Sequence, residues 1–172
     1  MHFRTHVKKE LRGISGQDEY GDGMVEHDRH IGQFLKKLDD LKIADNTLVF
    51  YSTDNGPHMN TWPDAGMTPF RSEKNTNWEG GWRVPAMVRW PGKIKPDTVS
   101  NEIVHHMDWM PTFATLTGAS LPSDRPIDGK DISGLLFATG EREDQELFYY
   151  MNGELRAYRS GDWKLKRPYN GK

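Results

Sequence analysis

The chain has 172 residues, enough for one domain of ordinary size with a sizeable core. Its 23 basic and 25 acidic residues leave a net charge of −2, which provides neither the basic footprint of a nucleic-acid binder nor an acidic tail. With 28% charged residues and no apolar run long enough for a membrane span, it reads as soluble, and the lack of cysteine excludes disulfides and thiolate metal sites.

Residues 1–16 are polar and glycine-bearing and read as a loop. The opening stretch, Met1 to Lys8, contains no apolar h-region, so no signal peptide is visible. From Gln17 to Leu41, apolar residues recur at Tyr20, Met24, Ile31, Leu35, Leu38 and Leu41. That spacing predicts an amphipathic helix, and Asp18 near its start with Lys36 and Lys37 near its end suits the helix dipole. After a turn at Ala44-Asp45-Asn46, the β-branched and aromatic run Thr47 to Thr53 predicts a buried strand. It stops at Asp54-Asn55-Gly56-Pro57-His58, where Gly-Pro turns the chain. Residues 56–83 have little periodicity, and a loop of that length in a compact domain is usually functional or disordered.

Val84 to Trp90 is expected to form the next strand, a neighbour of the first in one sheet, and Asp108 to Leu116 a short helix. A second loop runs from Pro122 to Gly134, and a short helix follows near Leu135. The remainder reads as a meander of three runs, Glu146 to Met151, Glu154 to Arg159 and Trp163 to Arg167, with Ser160-Gly161-Asp162 as a hairpin turn. The fold class is therefore α/β, a mixed sheet flanked by helices with a small C-terminal antiparallel β subdomain. The expected division is 1–140 and 141–172.

The carboxyl end of a strand is where open α/β sheets bind ligands. Asp54 and Asn55 place two hard oxygen donors there, suited to Ca²⁺ or Mg²⁺, although Asp-Asn-Gly is also a common turn. Lys74, in the polar loop, can offset the charge of an anionic substrate or simply be solvated. Together they suggest part of an anion-ester hydrolase site. His58, directly after the turn, is a candidate for substrate contact. His27, His30, His105 and His106 lie in or near helices and read as surface or packing residues. Trp62, Trp78 and Trp82 either line a pocket for an aryl or sugar group or pack the loop onto the domain.

The order strand-Asp54-Asn55-Gly56, then Lys74-x4-Glu79-Gly80-Gly81-x-Arg83-x-Pro85, then a strand ending Trp90-Pro91-Gly92, resembles the sulfatase family of the alkaline phosphatase superfamily. Val104-His105-His106-Met107-Asp108-Trp109-Met110-Pro111-Thr112-Phe113 followed by Thr117-Gly118 is similar to the helix these enzymes carry after that strand. The resemblance runs from about residue 1 to 120. It implies an alkaline-phosphatase-like sheet and sulfuric ester hydrolysis of the arylsulfatase kind. By that resemblance Asp54 and Asn55 are metal ligands for Ca²⁺, with Mg²⁺ possible, and Lys74 bridges the substrate sulfate and the leaving oxygen. Glu79, Gly80 and Gly81 shape the backbone.

His2 matches the family histidine that donates to the sulfate ester better than His6 does, against the alternative of a terminal histidine with no role. The family's nucleophile is a formylglycine made from Cys or Ser in a Cys/Ser-x-Pro-x-Arg motif. This chain has no cysteine, and Ser123-Asp124-Arg125-Pro126 has the wrong order. A strand-turn with the paired aspartates that complete the family's metal site is likewise absent ahead of Asp54. The resemblance thus implies the C-terminal part of a sulfatase, inactive alone, that needs an N-terminal half to complete the site around a sulfate ester. It also implies a periplasmic, secreted or lysosomal setting. Two rivals remain, a phosphodiesterase or phosphonate hydrolase of the same superfamily, and a truncated non-catalytic module.

Overall fold

The computed structural model describes residues 6–168 and divides into two compact units, one up to Trp90 and one from Pro91. In the first, helix α1 spans Glu19–Asp40, close to the expected 17–41. Its start is held by side chains from elsewhere rather than by Asp18, which makes no capping bond. Tyr20 N–H donates to Asp64 Oδ2 at 3.0 Å, meeting one of the orphan amides of the first turn. Asp22, one turn in, is buried because its carboxylate accepts the Gly13 N–H, the Ser15 N–H and the Ser15 hydroxyl at 2.6, 2.8 and 2.6 Å. The helix ends where Lys42 adopts a left-handed φ of 57°.

Strand β1, Val49–Ser52, follows a 3-10 turn at Ala44–Asn46 and pairs antiparallel with β2, Ala86–Arg89. The register is Val49 opposite Arg89 and Ser52 opposite Ala86, so the two strands are neighbours as expected. Both are shorter than the sequence runs. Thr47 is diverted into closing the 3-10 turn, its N–H donating to Ala44 O and its hydroxyl to Ile43 O. Helix α1 meets this ribbon through His27 Nε2 and Tyr51 Oη, 3.0 Å apart, and through Asp39 and Arg89 at 3.6 Å. Between the strands lies a single helical turn, α2, Glu79–Trp82, in what the sequence presents as loop.

In the second unit, a 3-10 turn at His106–Asp108 runs into α3, Trp109–Thr117, closed by Gly118 at φ 72°. A one-turn helix α4, Ser133–Leu136, precedes β3, Glu146–Met151, β4, Glu154–Ser160, and β5, Trp163–Lys166, ordered β3-β4-β5 and antiparallel throughout. Asn152 and Gly153, with φ of 52° and 77°, make the β3–β4 turn.

Asp108 organises this unit. Its fully buried carboxylate accepts His105 N–H at 2.7 Å, Lys130 N–H at 2.8 Å, and Arg142 Nε and Nη2 at 3.1 and 3.2 Å. Thr112 continues the chain of bonds, donating to Asp108 O and accepting Ile132 N–H. Gly129 is required because a Cβ there would come within 2.1 Å of Met107 O. Among the described residues, buried apolar side chains are few. They are Val7, Ala44 and Ala65 in the first unit, and Ile103, Trp109, Ile132, Tyr149 and Ala157 in the second. The sizeable core expected from chain length is therefore replaced by small clusters tied together by buried polar bonds.

Candidate active site

A chain that leaves β1 at Ser52 must return to β2 at Ala86, and the intervening segment folds back on itself. Gly56 N–H donates to Gly81 O at 3.0 Å, Lys74 N–H to Pro57 O at 2.9 Å, and Gly80 N–H to Arg71 O at 2.8 Å. These bonds bring the Asp54-to-Pro57 turn against the Lys74-to-Gly81 stretch. The contact is backbone on backbone and needs residues without side chains. A Cβ on Gly56 would lie 1.8 Å from Gly80 O, one on Gly80 1.9 Å from Ser72 O, and one on Gly81 2.6 Å from Glu73 O. Gly80 and Gly81 thus shape the backbone, as expected, and Gly56 is part of the same junction.

The segment carrying Lys74 is held in an unusual conformation. Ser72 and Asn75 have φ of 66° and 67°, the left-handed region that L-residues enter at a cost. Thr76 Oγ1 donates to Glu73 O at 2.7 Å, and Trp82 Nε1 to Thr76 O at 2.8 Å. Glu73 accepts the Met59 N–H, joining the two arms of the loop. Arg71 lies 3.8 Å over the Trp78 ring and Arg83 4.4 Å over Phe70.

The result is one cavity of about 710 Å³ in the first unit. Asp54, Asn55, His58 and Lys74 all line it. Lys74 is half-buried and Asp54 exposed to the cavity. Neither side chain has a hydrogen-bond or ion-pair partner among the described residues, nor does Asn55. His58 Nδ1 lies 2.7 Å from Thr61 Oγ1. The donors offered by Asp54 and Asn55 are of the kind a hard divalent cation takes, but two fall short of a full shell. Among the described residues no group of three or more His, Asp or Glu is placed to hold a metal. His2 lies outside the described residues; His6, which is described, lines the cavity and bonds Glu19 Oε1 at 3.1 Å.

Other lining residues were not expected at a site, His27 and His30 having read as surface or packing residues and Tyr20 and Met24 as part of the helix's apolar face. Tyr20, Gly23, Met24, Glu26, His27 and His30 present one face of α1 to the cavity. Their i, i+3, i+4, i+7 spacing was the available signal, since His27 and His30 share a stripe with Tyr20 and Met24. Of the three loop tryptophans, Trp62 lines the cavity, whereas Trp78 and Trp82 are fixed by Arg71 and Thr76.

A family model described as Sulfatase matches residues 5–119. Human steryl-sulfatase is 39% identical over 166 residues, 92% of this chain and 28% of that protein. The arylsulfatase of Hemicentrotus pulcherrimus is 37% identical over 95% of this chain and 30% of its own length. Among solved structures, the PsFucS1 sulfatase from Pseudoalteromonas sp. superposes with a TM-score of 0.90 at 32% identity, over 96% of this chain and 34% of that one. The chain therefore spans about a third of the length of the curated relatives it matches.

Proposed function

The chain belongs to the sulfatase family, and from that premise we propose that it supplies the metal-binding and leaving-group side of a sulfuric ester hydrolase site. The observation that supports this most is the convergence of Asp54, Asn55, His58 and Lys74 on one cavity, across some twenty residues of loop. Asp54 and Asn55 would hold a divalent cation, Ca²⁺ or Mg²⁺, which when bound supplies electrostatic stabilisation of ester oxygens. The remaining ligands would come from polypeptide outside these residues.

Lys74 carries an ammonium with no carboxylate partner among the described residues. It would bind the sulfate oxygens and offset the charge that builds on the bridging oxygen as the S–O bond breaks. His58, with Nδ1 committed to Thr61, keeps Nε2 for the substrate. His2 remains the candidate donor to the ester. The chain has no cysteine, and none of its serines stands in the Cys/Ser-x-Pro-x-Arg order, so attack on sulfur would come from a residue it does not contain. The substrate would be a sulfate ester, as the names of the steryl- and arylsulfatase relatives suggest.

Titration of methyl sulfate into the chain at low ionic strength, followed by NMR shifts, tests the reading. Saturable binding that weakens about tenfold in Lys74→Ala (about 1.4 kcal/mol) is expected. Equal affinity in the variant would contradict it.

A further inference from the structure

Three asparagines in the chain are followed by glycine, in Asn55-Gly56, Asn152-Gly153 and Asn170-Gly171. The first two pairs lie among the described residues, and the fold treats them in opposite ways. An asparagine amide is open to attack by the backbone nitrogen of the next residue, and glycine, lacking a Cβ, hinders that approach least. The reaction needs that nitrogen to be free and the chain around it to move.

At Asn152-Gly153 both conditions are met. The pair forms the whole turn between Met151 and Glu154, with left-handed φ of 52° and 77°. Both residues are exposed, and Gly153 N–H has no acceptor among the described residues. A Cβ added to Gly153 would meet nothing within 4 Å. Little holds such a hairpin tip shut. At Asn55-Gly56 neither condition is met. Gly56 is buried, its N–H donates to Gly81 O at 3.0 Å, and Gly80 O would lie 1.8 Å from a Cβ placed on it. To free this nitrogen, the junction between the two arms of the loop must open.

We propose that Asn152 is a site of spontaneous deamidation, and that the Gly56–Gly81 junction withholds the same reaction from Asn55. Gly153 N gives up its proton to water and bonds to Asn152 Cγ. The Cγ–Nδ2 bond breaks and ammonia leaves, which closes a succinimide ring. Water then opens the ring. Cleavage of the new N–Cγ bond gives aspartate, and cleavage at the Asn152 backbone carbonyl gives isoaspartate, with the chain routed through the former side chain. Water is consumed, ammonia is released, and nothing is oxidised or reduced. The product adds a carboxylate beside Glu154 and, as isoaspartate, lengthens a turn fitted between the paired residues Met151 and Glu154. The same change at Asn55 would set a second carboxylate beside Asp54, so the junction also preserves the amide of that pair.

The test incubates the folded chain in mildly alkaline buffer and follows each Asn-Gly peptide by mass spectrometry, separating aspartate from isoaspartate; Asn170 is read as its own peptide. Asn152 is expected to convert at least about tenfold faster than Asn55, the opening of the junction being the added barrier at Asn55. In concentrated urea the two rates should converge, because the junction is gone. Gly80→Ala, which crowds the junction, should quicken conversion at Asn55 and leave Asn152 unchanged. The urea comparison decides the matter even where that variant does not fold. Asn152→Gln should abolish conversion at the hairpin alone. Equal rates at the two sites in the folded chain would overturn the proposal. So would a ratio that persists in urea, since it would assign the difference to flanking residues and not to the fold.

Discussion

Gly80→Ala is the substitution whose consequence is most directly computable from the structure. A Cβ at Gly80 would lie 1.9 Å from Ser72 O and 2.7 Å from Arg71 O. Ser72 would have to retreat by about 1.5 Å to reach ordinary contact, and both obstructing atoms are backbone, so no rotamer change relieves the clash. The same retreat breaks the 2.8 Å bond from Gly80 N–H to Arg71 O. Overpacking of this kind costs about 1–3 kcal/mol and the lost bond about 1 more, giving a destabilisation of roughly 2–4 kcal/mol. Lys74 sits two residues from Ser72, so its ammonium should move with the segment and methyl sulfate affinity should fall with stability. Gly32→Ala is the matched control. It lies within α1 with nothing within 4 Å of its added Cβ, and there alanine should stabilise by up to about 1 kcal/mol. Urea unfolding of the two variants provides the assay. If Gly80→Ala is as stable as the unaltered chain, the proposed backbone junction does not exist in solution.

Further outcomes follow from the same reasoning. Asp108→Ala should cost about 3 kcal/mol, because it leaves Arg142 Nε and Nη2 without an acceptor, with Asp144 holding only Nη1, and frees the Lys130 N–H, and amide exchange at Lys130 should quicken; a change below about 1 kcal/mol would contradict the clamp. Burial holds the His105 imidazole below its ordinary value of 6.5. A histidine that resists protonation in the folded state contributes stability above its unfolded pKa, and that contribution is lost as pH falls from 6.5 toward the folded value. The urea midpoint should therefore drop between about pH 7.5 and about pH 5.5, and His105→Gln should flatten the drop. On aryl sulfates, this chain alone should show no hydrolysis above background, because it lacks a cysteine or a serine in the required motif. Turnover that survives repurification and vanishes in Lys74→Ala would refute that expectation.

Much of this was legible in the sequence where local chemistry decides. The period from Tyr20 to Leu41 marked α1, and the run ending at Asp54-Asn55-Gly56 marked β1 and the turn that opens the cavity. Glu-Gly-Gly indicated a backbone constraint, though not the carbonyls of Ser72 and Glu73 that impose it. What escaped depends on pairs distant in sequence. His27 reaches the cavity because it meets Tyr51, twenty-four residues away, and Asp108 is a hub only once Lys130 and Arg142 fold onto it. Asn152-Gly153, a strong hairpin signal, was passed over between two strands that were otherwise placed correctly. The one-turn α2 has no periodicity to read, since four residues bounded by glycine contacts owe their shape to the junction rather than to propensity.

Under the proposed function this chain carries part of a sulfatase metal site and not the whole of it. Calorimetric titration with Ca²⁺ tests it most directly. Asp54 and Asn55 supply two oxygen donors, one charged, where Ca²⁺ takes about six to eight. The account predicts weak binding, in the millimolar range or below detection, with any heat removed by Asp54→Ala. Tight binding that depends on Asp54 would show a complete site within these residues and contradict the account.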